Sequence, residues 1–209
     1  MKKPSATHAR PDRSRATDEQ LAAQTQAGLL AAFEELVYRY EARLYRFLHA
    51  RTGNAADARD LTQTAFVAAY RALGRFDTRR PFAPWLFAIT RRAMIDHFRS
   101  QSRELSEPPP SDEPAVPLVD SCDPYEILAA REDHHALWQL ARRTLSHDQF
   151  AVLWLKYEED LPVTDIARAL GKTTIHVKVL LHRARRNLLR ELNDGALAAT
   201  PVAIAEVLL

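Results

Sequence analysis

Val163-Thr164-Asp165-Ile166-Ala167-Arg168-Ala169-Leu170-Gly171-Lys172-Thr173-Thr174-Ile175-His176-Val177-Lys178 is the stretch that decides the fold. Its first eight residues set Val163, Ile166, Ala167 and Leu170 on one side of a short helix. Gly171 follows, where a positive φ is cheap for a residue without a Cβ. Thr173 is a natural N-cap, and a second helix runs from it to about Arg190. Its core face is Val177, Leu181, Ala184 and Leu188; its outer face presents Lys172, Thr174, His176, Lys178, His182, Arg183, Arg185, Arg186 and Arg190. Short helix, glycine turn and long basic helix make a helix-turn-helix. The early residues of the long helix are expected in a major groove, the later arginines near phosphates.

The charge pattern supports a polyanionic partner. Residues 168–190 hold seven Lys/Arg and no acid, giving +7, although the 209-residue chain carries only +2. Residues 71–99 form a second basic block, seven arginines against two aspartates, and the stretch between the blocks is acidic. One cysteine, Cys122, excludes an intramolecular disulfide framework and a Cys-rich zinc module. His176 and His182 stand six apart, a poor spacing for one metal on one helix, so no metal or other cofactor is expected. No phosphate-binding glycine loop or nucleophile triad is visible, and we expect no catalytic residue and no small-molecule substrate. The chain has no signal peptide or membrane-spanning run, which predicts a cytoplasmic protein.

Working outward, the sequence reads as all-α, two helical domains joined by a flexible linker. Residues 1–17 are a disordered basic arm. In 18–99, Leu29, Leu30, Phe33, Leu36, Val37, Tyr40, Leu44, Phe47 and Leu48 form one apolar stripe, stopped by Gly53-Asn54. A second helix is expected over 55–73, ended by Gly74, and a third from about Pro84 to Arg99. Residues 100–123 read as a flexible acidic linker, since five of the ten residues from 108 to 117 are proline. Helices resume over 124–192, where Ser146 and Gln149 spell a capping box. An apolar tail, 193–209, is expected to pack on the second domain, with docking to an inhibitor or effector as the alternative.

Within the first basic block, the loop from Gly74 to Pro81 precedes a helix on which Trp85, Arg92, Asp96 and Arg99 share a face. Charge beside Phe76 and Trp85 suits unpaired nucleic acid, which needs cations for the backbone and rings for the bases. Core packing of Trp85 is the competing reading. Asp96 stands one turn from Arg92 and could hold it in place. Glu34, Glu35, Glu41, Asp57 and Asp60 give the two preceding helices a mildly acidic surface, suited to a protein partner or simply to solvent.

Taken together, these strings resemble the extracytoplasmic-function (ECF) group of bacterial sigma-70 factors. They are Phe33-Glu34-Glu35-Leu36 with Tyr40, Leu44 and Tyr45; Gly53-Asn54 with 57–63 and Phe66; and Phe82 with 85–89 and Asp96. In the second domain they are Ile166-Ala167, Leu170-Gly171, and Val177-Lys178 with 181–185. The resemblance implies that 18–99 is sigma region 2 and 124–192 is sigma region 4. It implies core RNA polymerase binding through Asp57, Asp60, Leu61, Gln63 and Phe66. It implies contacts to the melted −10 element by Arg75, Phe76, Arg79, Arg80, Trp85, Arg91, Arg92, Asp96 and Arg99. Contacts to the duplex −35 element fall to Lys172, Thr173, Thr174, His176, Lys178, His182, Arg183 and Arg186. An anti-sigma factor, often membrane-bound, is the implied inhibitor and would hold the chain at the inner membrane.

The chain departs from the family pattern at Arg59 and Thr64, at Arg92, and at Ile175, His176, Val179 and Leu180. Two other readings compete: a free-standing helix-turn-helix regulator binding an operator as a dimer, and a helical enzyme or adaptor whose charges are decorative.

Overall fold

The computed structural model describes residues 15–104 and 124–192, with side chains placed outside 102–133. Most of the arm, the linker from 105 to 123 and the tail therefore lie outside the described residues. Eight helices and no strand occur among the described residues, as expected for an all-α chain.

The first bundle holds α1 (Asp18–Gln26), α2 (Leu30–Thr52), α3 (Ala55–Leu73) and α4 (Phe82–Glu104). Thr17 and Gln20 close a capping box on α1. Gly53, at φ 72°, ends α2, and the Asn54 carboxamide oxygen accepts from the Ala56 and Asp57 N–H groups to start α3. Small residues on α3, Ala58, Ala65 and Ala69, are fully buried and let it approach α2 closely. Leu36, Leu44, Phe47 and Leu48 face them from α2, with Leu86, Phe87 and Met94 from α4 completing the core. Asp18 fastens α1 to α2: it accepts from the Tyr40 hydroxyl at 2.5 Å and pairs with Arg39 at 2.8 Å. Burial first, and then that carboxylate, push the Tyr40 phenol pKa upward.

Two boundaries differ from expectation. Leu29 and Leu30 leave the apolar stripe and are 43% and 55% exposed, because Gly28 turns the chain between α1 and α2 and places them at the turn. Helix α4 begins at Phe82, whose N–H donates to Glu19, and continues through 100–104, which the sequence reading gave to the linker. Nothing from Arg99 to Glu104 breaks a helix; the first proline after it is Pro108.

The second bundle holds α5 (Pro124–Thr144), α6 (His147–Tyr157), α7 (Val163–Ala169) and α8 (Thr174–Glu191). Ser146 and Gln149 make the expected capping box. Gly171 takes φ 62°, and Thr173 caps α8 by accepting from the His176 N–H at 3.1 Å. Phe150, Leu153, Ile166, Val177, Ala184 and Leu188 form its interior.

The two bundles share one continuous core, which the sequence reading did not anticipate. Phe47 of α2 meets Phe150 and Trp154 of α6, with centroids 6.0 and 5.7 Å apart, and Trp154 lies 4.6 Å from Trp138 of α5. Beside this seam, buried Arg51 donates to the Arg142 and Leu145 carbonyls, which close the end of α5. A cation against those carbonyls also suits the negative end of the helix dipole. The Arg142 guanidinium lies against Gly53, whose positive φ is what favours glycine there.

Phe47 is 1% exposed and touches both bundles. We expect Phe47→Ala to lower unfolding free energy by about 3–5 kcal/mol in urea titrations. An equal loss from an exposed control such as Tyr38→Ala, 81% exposed, would contradict this reading.

Candidate nucleic-acid interface

Helix α8 buries its apolar side and turns the opposite face outward. Lys178, His182, Arg183 and Arg186 are exposed and line a shallow depression with Ile175 and Val179. Among the described residues Lys178, Arg183 and Arg186 take part in no ion pair, so their charge is available to a partner. Thr174 and His176 are exposed beside them at the first turn. The Thr173 hydroxyl is committed to its cap. Arg185, expected on the outer face, instead lies over the Tyr157 ring at 5.7 Å and is half-buried. Leu180, a departure from the family pattern, is 8% exposed and belongs to the core.

The second basic surface lies on the loop before α4 and along that helix. Arg75, Arg79, Arg80, Arg92 and Arg99 are exposed. Asp77 pairs with Arg79 at 2.9 Å and Arg80 at 3.4 Å, which organises the loop and draws the Asp77 carboxyl below its usual range. Phe76 corrects the sequence reading. It is 6% exposed, packed at 4.7 Å on Trp85 and 5.6 Å on Phe82, because Gln26 of α1 holds its carbonyl at 2.8 Å and seats the loop. Trp85 is half-buried in the same aromatic group. Asp96 lies 3.6 Å from Arg99, one turn ahead, so the pairing with Arg92 weighed from sequence is replaced by this one.

A third surface, on α3, is mixed rather than basic. Asp60, Gln63, Thr64, Val67, Ala68 and Arg71 line a shallow depression. Leu61 and Phe66, expected at a polymerase contact, are 6% and 8% exposed and instead hold α3 in the bundle. Asp57 is half-buried, 3.5 Å from His97. The sequence reading missed Val67 and Arg71 because it followed family strings; the i, i+3, i+4 spacing from Asp60 and Gln63 would have found both.

Two family models cover these surfaces. Sigma-70 region 2 matches residues 36–104 and sigma-70 region 4 matches residues 137–188. The ECF RNA polymerase sigma factor BldN of Streptomyces coelicolor is 33% identical over 199 residues, 90% of this chain and 72% of that protein. The ECF sigma factor SigW of Bacillus subtilis is 27% identical over 177 residues, 82% of this chain and 94% of its own. The chain belongs to the ECF RNA polymerase sigma factors.

As a sigma factor it directs core RNA polymerase to promoters, and the region 2 match sets aside the free-standing regulator. Its structure is similar to that of CnrH, a sigma factor of Cupriavidus metallidurans, solved in complex with the cytosolic domain of CnrY. The TM-score is 0.63 at 26% identity, covering 86% of this chain and 99% of that one. Among the described residues of this sigma factor no His/Cys/Asp/Glu group could hold a metal, and no helix is long and apolar enough to cross a membrane.

Between regions 2 and 4 stands a small charged junction. Asp148 of α6 accepts from Arg91 of α4 and lies 2.7 Å from the Lys172 ammonium in the helix-turn-helix. Both cations were expected at DNA; both are largely covered here, at 20% and 18% exposure. Burial alone would raise the Asp148 carboxyl, but Lys172 and Arg91 outweigh it and hold the pKa low. The neighbouring His147 accepts from Arg51 through Nδ1, at 3.2–3.3 Å. Burial first, then the Arg51 and Arg91 charges, lower its pKa.

The signs set a pH dependence. A histidine with a lowered folded-state pKa contributes stability that is complete above its unfolded value, about 6.5, and lost as pH falls toward the folded value. His134, raised by its bond to Glu158, works in the opposite direction, giving stability below about 6.5 that fades as pH rises. We expect His147→Gln, which keeps an acceptor for Arg51 but cannot protonate, to reduce the loss of stability between about pH 6.5 and 5. Urea titrations across that range check it; an unchanged pH slope contradicts it.

Proposed function

We propose that the exposed face of α8 reads duplex −35 DNA, the basic face of α4 with its loop holds the melted −10 strand, and the exposed face of α3 docks on core polymerase. One observation carries most of this: Lys178, Arg183 and Arg186 stand exposed and unpaired among the described residues, on a stretch without a single acid from 168 to 190. Duplex phosphates are the partner that such a surface fits.

On region 2, Arg75, Arg79, Arg80, Arg92 and Arg99 supply backbone charge, and the exposed part of Trp85 is the ring available to an unstacked base. Asp96 orients Arg99. Phe76 supports Trp85 from behind and does not itself reach a base. Holding an extruded base offsets part of an unstacking cost of a few kcal/mol, so opening requires no hydrolysed nucleotide. On α3, Asp60 and Gln63 lead the polymerase contact, with Leu61 and Phe66 as packing beneath them and Asp57 at the margin.

Neither DNA surface is large, and a chain held on polymerase makes its second contact intramolecular. Arg91 and Lys172 exchange Asp148 for phosphates once the two bundles part to span a promoter. CnrH has been solved with the cytosolic domain of CnrY; an anti-sigma protein, membrane-held or soluble, is the proposed regulator of this chain in the cytoplasm.

Lys178→Ala with Arg183→Ala should lower promoter-specific transcription by core polymerase at least tenfold, leave core binding unchanged, and reduce the salt slope of DNA binding by about 1–2. Asp60→Ala with Gln63→Ala should weaken core binding about tenfold with the melting temperature unchanged. Normal transcription by the first pair, or normal core affinity in the second, would overturn the corresponding assignment.

A further inference from the structure

Ile175 is 74% exposed and Val179 is 40% exposed, in the middle of the basic face of α8. They stand one turn apart on the same face of α8, bordered by Lys178, His182, Arg183 and Arg186. An apolar pair there gains nothing from the helix itself, whose core side is already filled by Val177, Leu181, Ala184 and Leu188. The surrounding cations fix the chemistry of what covers it: a polyanion that also carries apolar groups at its recognition edge.

Major-groove DNA has such a group, the C5-methyl of thymine, which aliphatic side chains read by contact. Residues four apart on a helix rise about 6 Å, which spans one to two base-pair steps of about 3.4 Å. Ile175 lies in the first turn of α8, the part of a recognition helix that reaches base edges. We infer that Ile175 and Val179 are specificity residues that select thymine methyl groups in the −35 element, while Lys178 and Arg183 grip the phosphates beside them. This rests on the −35 reading of α8 and adds which bases it prefers. A protein or the apolar tail of this chain covering the same strip is the rival occupant.

The test uses the full chain with core polymerase on promoters selected from a library randomised over both hexamers. Selected −35 sequences should carry thymine at two positions within two base-pair steps. Templates with deoxyuridine at those positions lack only the methyl groups, and should lose about fourfold in open-complex formation per methyl. Ile175→Ala and Val179→Ala should each become indifferent to one of the two substitutions while still binding core polymerase. Defined −35 sequences with equal activity on thymine and deoxyuridine would overturn the methyl assignment and leave the sigma reading standing. So would variants that lose activity equally on both templates, which is the result expected if a protein segment covers the strip. No promoter-specific transcription at all would instead overturn the reading beneath it.

Discussion

The contact of Phe47 with Phe150 and Trp154 joins what would otherwise be two small helical bundles with an open apolar side each. A core of this size is marginal alone, and sharing one ring cluster lets each bundle cover the other. Polar groups along the seam are then forced into partnerships. Arg51 must find carbonyls, and it takes those at the end of α5; Arg43 must find an acid, and it pairs with Glu159, whose side chain is only 3% exposed. The pairs add register more than energy, since desolvation cancels much of their attraction. They set which faces of regions 2 and 4 meet and which stay outside.

What stays outside is the surface proposed to meet DNA and polymerase. The seam takes up α6, the described part of α5 and the C-terminal half of α2, leaving the outer face of α8, Arg92 and Arg99 of α4 and the polar side of α3 in solvent. Asp148 marks the border, because it takes one cation from each basic surface, Arg91 and Lys172, while Lys178, Arg183 and Arg186 of α8 take part in no ion pair among the described residues. The α8 face therefore keeps its charge for a partner, while on the α4 side Asp77 and Asp96 hold Arg79, Arg80 and Arg99 in place.

Much of this was legible in the residues. Helix limits followed from signals whose chemistry is local: Gly53-Asn54, Ser146 with Gln149, Gly171 with Thr173; Thr17, read as part of the arm, in fact caps α1 with Gln20. The basic faces were legible because charge is a property of sequence. Burial of Phe76, Leu61 and Phe66 was not, because an aromatic or leucine beside charged neighbours looks the same whether it faces a core or a partner. The seam was equally hidden. Phe47 fits the stripe of α2 and Phe150 that of α6, and no pattern within either helix says that the two stripes meet. Leu180 and Arg185 turned inward for a related reason: α8 packs on both α6 and α7, so its buried arc is wider than a single row of residues.

The central claim is that two modest DNA surfaces become specific only when polymerase holds them on one promoter. Affinity for a promoter fragment, measured for the free chain and again with core polymerase at the same salt, tests it most directly. The account predicts weak, sequence-indifferent binding by the chain alone and a gain of at least a hundredfold, confined to cognate promoters, in the complex. Tight, sequence-specific binding by the free chain, unchanged when core polymerase is added, would contradict it.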